Sequence, residues 1–336
     1  MKKLFPLYYH LSEEEKRQLF NSKDCYFVFD TNALLDIYRL GKETADKVLI
    51  LIDKYKERII IPKHVAYEYH KNMLDIITEI CGKYNSFLKL NNLESIQNGI
   101  IDSLKLQNEP SIKRKVIKYL SPAIEELLKD VKGECNYIRN QFKSWELQNK
   151  LSDALGALVL GGYTDKELKE IEEKGEKRYA AEIPPGYLDA KEKTSNIYGD
   201  YIIWCEILRF AKDKQCSIIF IGRDIKEDWL QKLHGMTCGP RQELLDEFHD
   251  YSPNGKFHIY SLDQFLSFAN ETDKVMDDSE IIEVKELITV RVAEKNEDTA
   301  SKSSIPIKKS YLDYDKSGSD KQEAIEERIE DNPKSR

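Results

Sequence analysis

Four acidic residues occupy the places where chemistry is most readily built into this chain. Asp30 follows the apolar run Cys25-Tyr26-Phe27-Val28-Phe29, and Asp224 stands three residues past a second run, Ser217-Ile218-Ile219-Phe220-Ile221. Glu68 lies near the start of a helical pattern after Pro62, and Asp200 opens another. In open parallel α/β sheets ligands collect outside the carboxyl ends of the strands, so all four carboxylates can converge on one edge. Converging carboxylates repel unless a cation lies among them, and hard oxygen donors suit Mg²⁺ or Mn²⁺. Two such ions can activate a water, orient a phosphodiester and stabilise the leaving oxygen. Each acid also has a local reading. Asp30 and Asn32 can form an Asx turn or cap the next helix, which the tripeptide alone favours. Asp200 can cap a helix after Gly199, Glu68 can be a solvated helix side chain, and Asp224 can end a strand or pair with Arg223 or Lys226.

The elements that must hold these residues follow in order. Ser12 and Glu15 form a capping-box pattern for a short helix to about Phe20. After the first strand, helical character resumes at Ala33 and continues to about Tyr55. A second β-rich run, Arg58 to Ile61, ends at Pro62 and leads into a helix with His64, Glu68 and His70. Between Asn72 and Leu160 no strand is evident. Met73 to Tyr84 and Ile112 to Phe142 read as helices, with breaks at Pro110 and Pro122. Thr164 and Glu167 cap a charged helix to about Tyr179, and the loop Ile183-Pro184-Pro185-Gly186-Tyr187 returns the chain to its core. The helix from Asp200 has apolar positions at Ile203, Ile207 and Phe210, and Phe257 to Tyr260 is a fourth strand. Alternating strands and helices predict an α/β fold with a mainly parallel sheet covered on both faces. The expected organisation is an α/β domain in two parts, residues 1–71 and 161–270, with a helical insertion at 72–160. A peripheral segment at 271–295 follows, and then a flexible charged tail at 296–336, where apolar residues thin out.

Composition narrows the function. Fifty-two Lys and Arg against 60 Asp and Glu give a net charge of −8, so broad adhesion to nucleic acid is disfavoured and any polyanion needs a local basic patch or metal ions. Lys174, Lys177 and Arg178, with Lys191 and Lys193 beyond the Pro-Pro-Gly loop, can supply such a patch. Tyr179, Tyr187 and Trp229 can stack on bases, although each of these residues is individually more ordinary as a solvated cation or a core aromatic. No run approaches the roughly 18 apolar residues of a membrane span. The six cysteines form no CxxC pair, which leaves no zinc ribbon or disulfide framework to be read. Lys2 and Lys3 are followed by no apolar leader segment, so a cytoplasmic location is expected. GxxxxGK, HExxH and GxSxG are absent from the sequence, which removes support for phosphate-loop ATPases, zinc proteases and serine hydrolases.

Five blocks in order carry a resemblance. They are Phe27-Val28-Phe29-Asp30-Thr31-Asn32; Pro62-Lys63-His64-Val65 with Glu68; Ile183 to Asp189 with Lys191; Tyr198-Gly199-Asp200-Tyr201-Ile202-Ile203-Trp204; and Asp224 with Lys226, Asp228 and Trp229. Together they resemble the PIN-like family of bacterial proteins from about Cys25 to Phe268. The resemblance implies a three-layer α/β/α sandwich and a Mg²⁺- or Mn²⁺-dependent nuclease that cuts RNA in preference to DNA. Asp30, Glu68, Asp200 and Asp224 match the family's acids, which bind metal and act in catalysis, and Asn32 the amide that orients them. Asp189 and Lys191 belong to a subfamily block and are expected to touch substrate. Many such nucleases are toxins or defence effectors restrained by a regulatory protein partner, and a homo-oligomer is compatible with this reading. One departure stands out. Gly222 replaces the family's usual Thr or Ser, and Arg223 stands where another acid is common; Arg223 can clamp a phosphate or weaken metal binding. The alternatives are a nuclease-dead binding or scaffold module with the same fold, and a phosphotransferase with Asp30 as nucleophile. The latter usually carries a second Asp where this chain has Asn32.

Overall fold

A computed structural model describes residues 1, 6–9, 11–155, 158–188, 195–222, 228–234 and 236–303. The chain begins with α1 (Glu13–Asn21), whose Ser12 and Glu15 form the reciprocal capping box expected from their spacing. Strand β1 (Cys25–Phe29) leads into the short α2 (Thr31–Asp36), then α3 (Lys42–Lys54) and β2 (Ile59–Ile60). A helical region follows: α4 (Lys63–Leu90), α5 (Leu93–Ser103), α6 (Pro110–Ser144) and α7 (Glu146–Leu155). Then come α8 (Asp165–Ala180), capped by Thr164 and Glu167, α9 (Gly199–Lys214) and β3 (Ser217–Gly222). The chain continues through β4 (Leu230–Leu233), β5 (Met236–Pro240), α10 (Gln242–Tyr251), β6 (Phe257–Ser261), α11 (Leu262–Asp273) and α12 (Asp278–Ser303).

The central sheet has the order β2-β1-β3-β6 and is parallel throughout. Its register pairs Phe27 with Ile59, Val28 with Phe220 and Ile221 with Tyr260. Successive side chains of a strand point to opposite faces, and each face meets its own helices. Phe27 and Phe29 pack on Phe265 of α11 with ring centroids 5.2 Å apart, and Phe20 and Tyr55 join that cluster. On the other face Tyr26 meets Phe210 of α9, and Trp204 of α9 meets Phe257. A parallel sheet must be covered on both sides because its strands are apolar on both; the result is the three-layer α/β/α sandwich.

Helices α4 and α5 run outward and α6 returns along them. Asn85 meets Arg139, and Gln97 meets Ser121. At the base, His70 meets Gln148 of α7, which packs on α3. The expected break at Pro110 is the start of α6, whereas the break expected at Pro122 does not occur, because that proline lies inside a continuous helix. An interior proline costs about 3 kcal/mol, and here burial of Ile124, Cys135 and Ile138 holds the helix across it. After α7, Leu158 to Leu160 return to the sheet edge, where Ile61 bonds Leu158 and Leu160 through its backbone.

Antiparallel β4 and β5 were not legible in the sequence, since Gln231 to Gly239 shows no apolar alternation. Residues Met1–Thr289 form one compact unit; the backbone of α12 continues beyond it to Ser303, and residues 304–336 lie outside the described set. Among the described residues no helix is long and apolar enough to cross a membrane. All six cysteines are free, and four are buried.

Candidate active site at the carboxyl edge of the sheet

Asp30 is the first residue past β1. Its backbone N–H donates to the Ile221 carbonyl at 2.8 Å, which ties it to the end of β3. It holds the N-cap position of α2, yet its side chain makes no capping bond; one carboxylate oxygen instead accepts from Asn32 Nδ2 at 3.3 Å. The local reading of Asp30 as a helix cap is therefore not realised. The next residue, Thr31, donates its hydroxyl to Glu68 Oε2 at 2.8 Å. The 3-10 turn that follows α2 (Ile37–Arg39) is pinned to α4 by the Tyr38 and Tyr69 hydroxyls, 2.6 Å apart, and by Arg39 on Glu79 at 2.9 Å.

Glu68 is not a solvated helix side chain. Only 17% of it is exposed. Its second oxygen accepts from Asn196 Nδ2. The Asn196 oxygen faces His64 Nε2 at 2.9 Å, so with this amide orientation the ring nitrogen carries the proton. His64 Nε2 lies 3.7 Å from Glu68 Oε1. Gly199 leaves room for this closeness: a Cβ there would lie 2.7 Å from Asn196 Nδ2 and 3.1 Å from His64 Nε2, so these side chains would have to shift.

Asp200 is in the first turn of α9, but the N-cap position belongs to Tyr198. The wall beside Asp200 is the Pro-Pro-Gly loop. Gly186 has φ +94°, and a Cβ there would lie 2.8 Å from Asp200 Cβ and 2.3 Å from the Tyr179 hydroxyl oxygen. Buried Asp228 anchors the loop by accepting from the N–H groups of Gly186 at 2.8 Å and Leu188 at 3.4 Å. Arg178 anchors it from the other side, donating to the Pro184 carbonyl while making a two-pronged pair with Glu247 at 2.8 Å.

Three helices, α2, α4 and α9, thus begin beside these acids, and their amino ends favour negative charge. Beneath them Glu206 of α9 is buried against the start of α4. Burial raises its pKa to about 7, opposed by the Lys63 and His64 backbone N–H groups and by Arg209.

The remaining sequence-derived candidates, Asp189, Lys191, Arg223, Asp224 and Lys226, lie outside the described residues, as does Lys193. β3 ends at Gly222, two residues before Asp224, and β3 is the neighbour of β1. Among the described residues no group of three or more His, Cys, Asp and Glu side chains is gathered to hold a metal ion. By donor chemistry, Asp30, Glu68 and Asp200 fit a hard divalent cation: all are carboxylates, and Glu68 is oriented by a hydroxyl and an amide, as outer partners commonly orient a ligand.

Two expectations for the surface need correction. Arg178 is not a free phosphate cation, because Glu247, Pro184 and the Tyr201 ring, 4.7 Å away, occupy it. Trp229 is not available to a base, because it is buried and stacked on Phe220 at 4.6 Å. Lys174 and Lys177 are exposed. Sequence reasoning missed Thr31, Asn196, His64 as a partner of Glu68, and the anchor Asp228. The prior signal was that Thr31, His64 and Asp228 fall inside motif blocks; nothing in its spacing singles out Asn196.

A family profile described as a PIN like domain matches residues 26–244. Comparisons with curated proteins and with solved structures gave no match.

Proposed function

Since the chain belongs to the PIN-like domain family, within the nuclease superfamily, we propose that it is a Mg²⁺- or Mn²⁺-dependent nuclease, with RNA favoured over DNA. The observation that carries this reading is the Glu68 carboxylate, held by the hydroxyl of Thr31, the residue next to Asp30, and by the amide of Asn196. Asp30, Glu68, Asp200 and Asp224 are the residues that would hold the ion. When bound, it supplies Lewis-acid polarisation of the phosphate and makes water a nucleophile near neutral pH.

The chain's own residues do the rest. Thr31 and Asn196 fix the Glu68 carboxylate, and the buried Asp228 and Arg178 hold the Pro-Pro-Gly loop against Asp200. The amino ends of α4 and α9 attract the anionic backbone of a substrate. Asp189, Lys191, Arg223 and Lys226 are assigned to substrate contact. A role as a toxin or defence effector, restrained by a regulatory protein partner, belongs to the same proposal, as does an inserted helical region that selects substrate.

The experiment compares the full chain with Asp30→Asn on labelled single-stranded RNA and DNA, with Mn²⁺, Mg²⁺ or EDTA. Metal-dependent cutting of RNA that is lost in the variant is the expected result. The rival reading, a PIN-fold scaffold without catalysis, is motivated by Gly222 and Arg223, which stand where the family usually carries a hydroxyl and another acid. It prevails if calorimetry shows no Mn²⁺ binding and neither protein cuts.

A further inference from the structure

The helical hairpin carries a charged surface that the proposed chemistry does not use. Between Leu104 and Ile124 the chain has five cations, Lys105, Lys113, Arg114, Lys115 and Lys118, against one acid, Glu109, in a protein of net charge −8. At 100° per residue, Lys115 and Lys118 share the face of α6 turned away from buried Ile124, together with Ile112 and Tyr119, and Arg114 lies on the flank of that face beside Lys118. All five residues are exposed, Tyr119 by 69%, and Lys118 Nζ lies 5.6 Å from the Tyr119 ring centre. The place is remote from the acids. Glu68 to Leu90 spans about 33 Å of helix at 1.5 Å per residue, and the face lies beyond, where α6 packs on α5.

We propose that this outer face of α6 docks the phosphodiester backbone of a single-stranded nucleic acid, with Tyr119 stacking on an unpaired base. The proposal rests on the nuclease reading and adds a second contact to it, far along the same strand. Charge complementarity selects the occupant. A strand needs spaced cations and an exposed ring, and this face offers both. An acidic protein would need an apolar, well-packed centre, and here Ile112 and Tyr119 stand alone among charges.

The test measures binding of a long unstructured RNA in EDTA, across a salt series, by the full chain, by Arg114→Glu/Lys115→Glu/Lys118→Glu and by Tyr119→Ala. Loss of three phosphate contacts shallows the salt slope by about 2 and lowers affinity up to about 100-fold at 0.1 M salt. Tyr119→Ala weakens binding roughly tenfold and leaves the slope unchanged. With Mn²⁺, the triple variant raises KM on the long RNA but cuts a tetranucleotide as the wild type does. Unchanged slope and affinity in both variants overturn the docking proposal, while cleavage by the wild type keeps the nuclease reading intact. Conversely, lost binding in the variants with no cutting by any protein upholds the docking face and removes the nuclease reading.

Discussion

The carboxyl edge of the sheet and the outer half of the helical hairpin treat charge in opposite ways. At the edge, Glu68 is gripped by Thr31 and Asn196, Asp228 accepts two backbone N–H groups, and Arg178 is occupied on three sides. On the hairpin, Lys115 and Lys118 on one helix face, and Arg114 on its flank, are exposed to water. Groups that must meet a reacting bond need fixed geometry, whereas groups that attract a flexible polyanion need only density of charge. The difference teaches that location on the fold, more than residue type, separates the proposed reaction site from the proposed docking surface in this chain.

The comparison breaks most readily at Asp30. Asp30→Asn is expected to lower metal-dependent cleavage by about 1,000-fold or more, a larger effect than the roughly 10- to 100-fold typical of outer partners of a metal site, while circular dichroism and RNA binding in EDTA remain unchanged. The hairpin gives the contrary case. Pro122→Ala is expected to stabilise α6 by up to about 3 kcal/mol, read by urea unfolding, with no change in cleavage of a short substrate. A drop in stability there would mean that the surrounding packing requires the proline.

Glu206 probes the support under the edge. Its pKa in the folded protein is raised to about 7 from 4.5 by burial. The folded state therefore keeps a proton that the unfolded chain releases, so the stability linked to this proton is fully present below about 4.5 and lost as pH rises through about 7. Glu206→Gln is expected to remove that slope, worth up to about 3 kcal/mol at 1.36 kcal/mol per unit. Parallel stability curves for the two proteins across this range would sink the assignment. A smaller effect sharpens the comparison within the edge itself: Asn196→Ala is expected to weaken Mn²⁺ binding about 10- to 100-fold by calorimetry. Equal affinity would show that Thr31 alone suffices to hold Glu68.

Much of the scaffold was legible because its causes are local. The runs beginning at Cys25, Ser217 and Phe257 became strands close to the expected bounds, since apolar β-favouring segments must be buried on both faces of a parallel sheet. Ser12 and Thr164 cap their helices through residues three positions away, well within reach of sequence reading. The positions of Asp30, just past β1, and of Asp200, in the first turn of α9, follow from the same local patterns.

Tertiary structure alone decided how the polar side chains are used. Thr31 and Glu68 are 37 residues apart and Asn196 and Glu68 are 128 apart, and they meet because α2, α4 and α9 begin at one edge of the sheet. The same packing carried α6 through Pro122, placed Trp229 on Phe220 and directed Arg178 to Glu247. Hydrophobic periodicity determines which elements form, because burial depends on a residue's immediate pattern. The partner of a hydroxyl, amide or guanidinium depends on the rotation and approach of helices distant in sequence, and no local pattern records that.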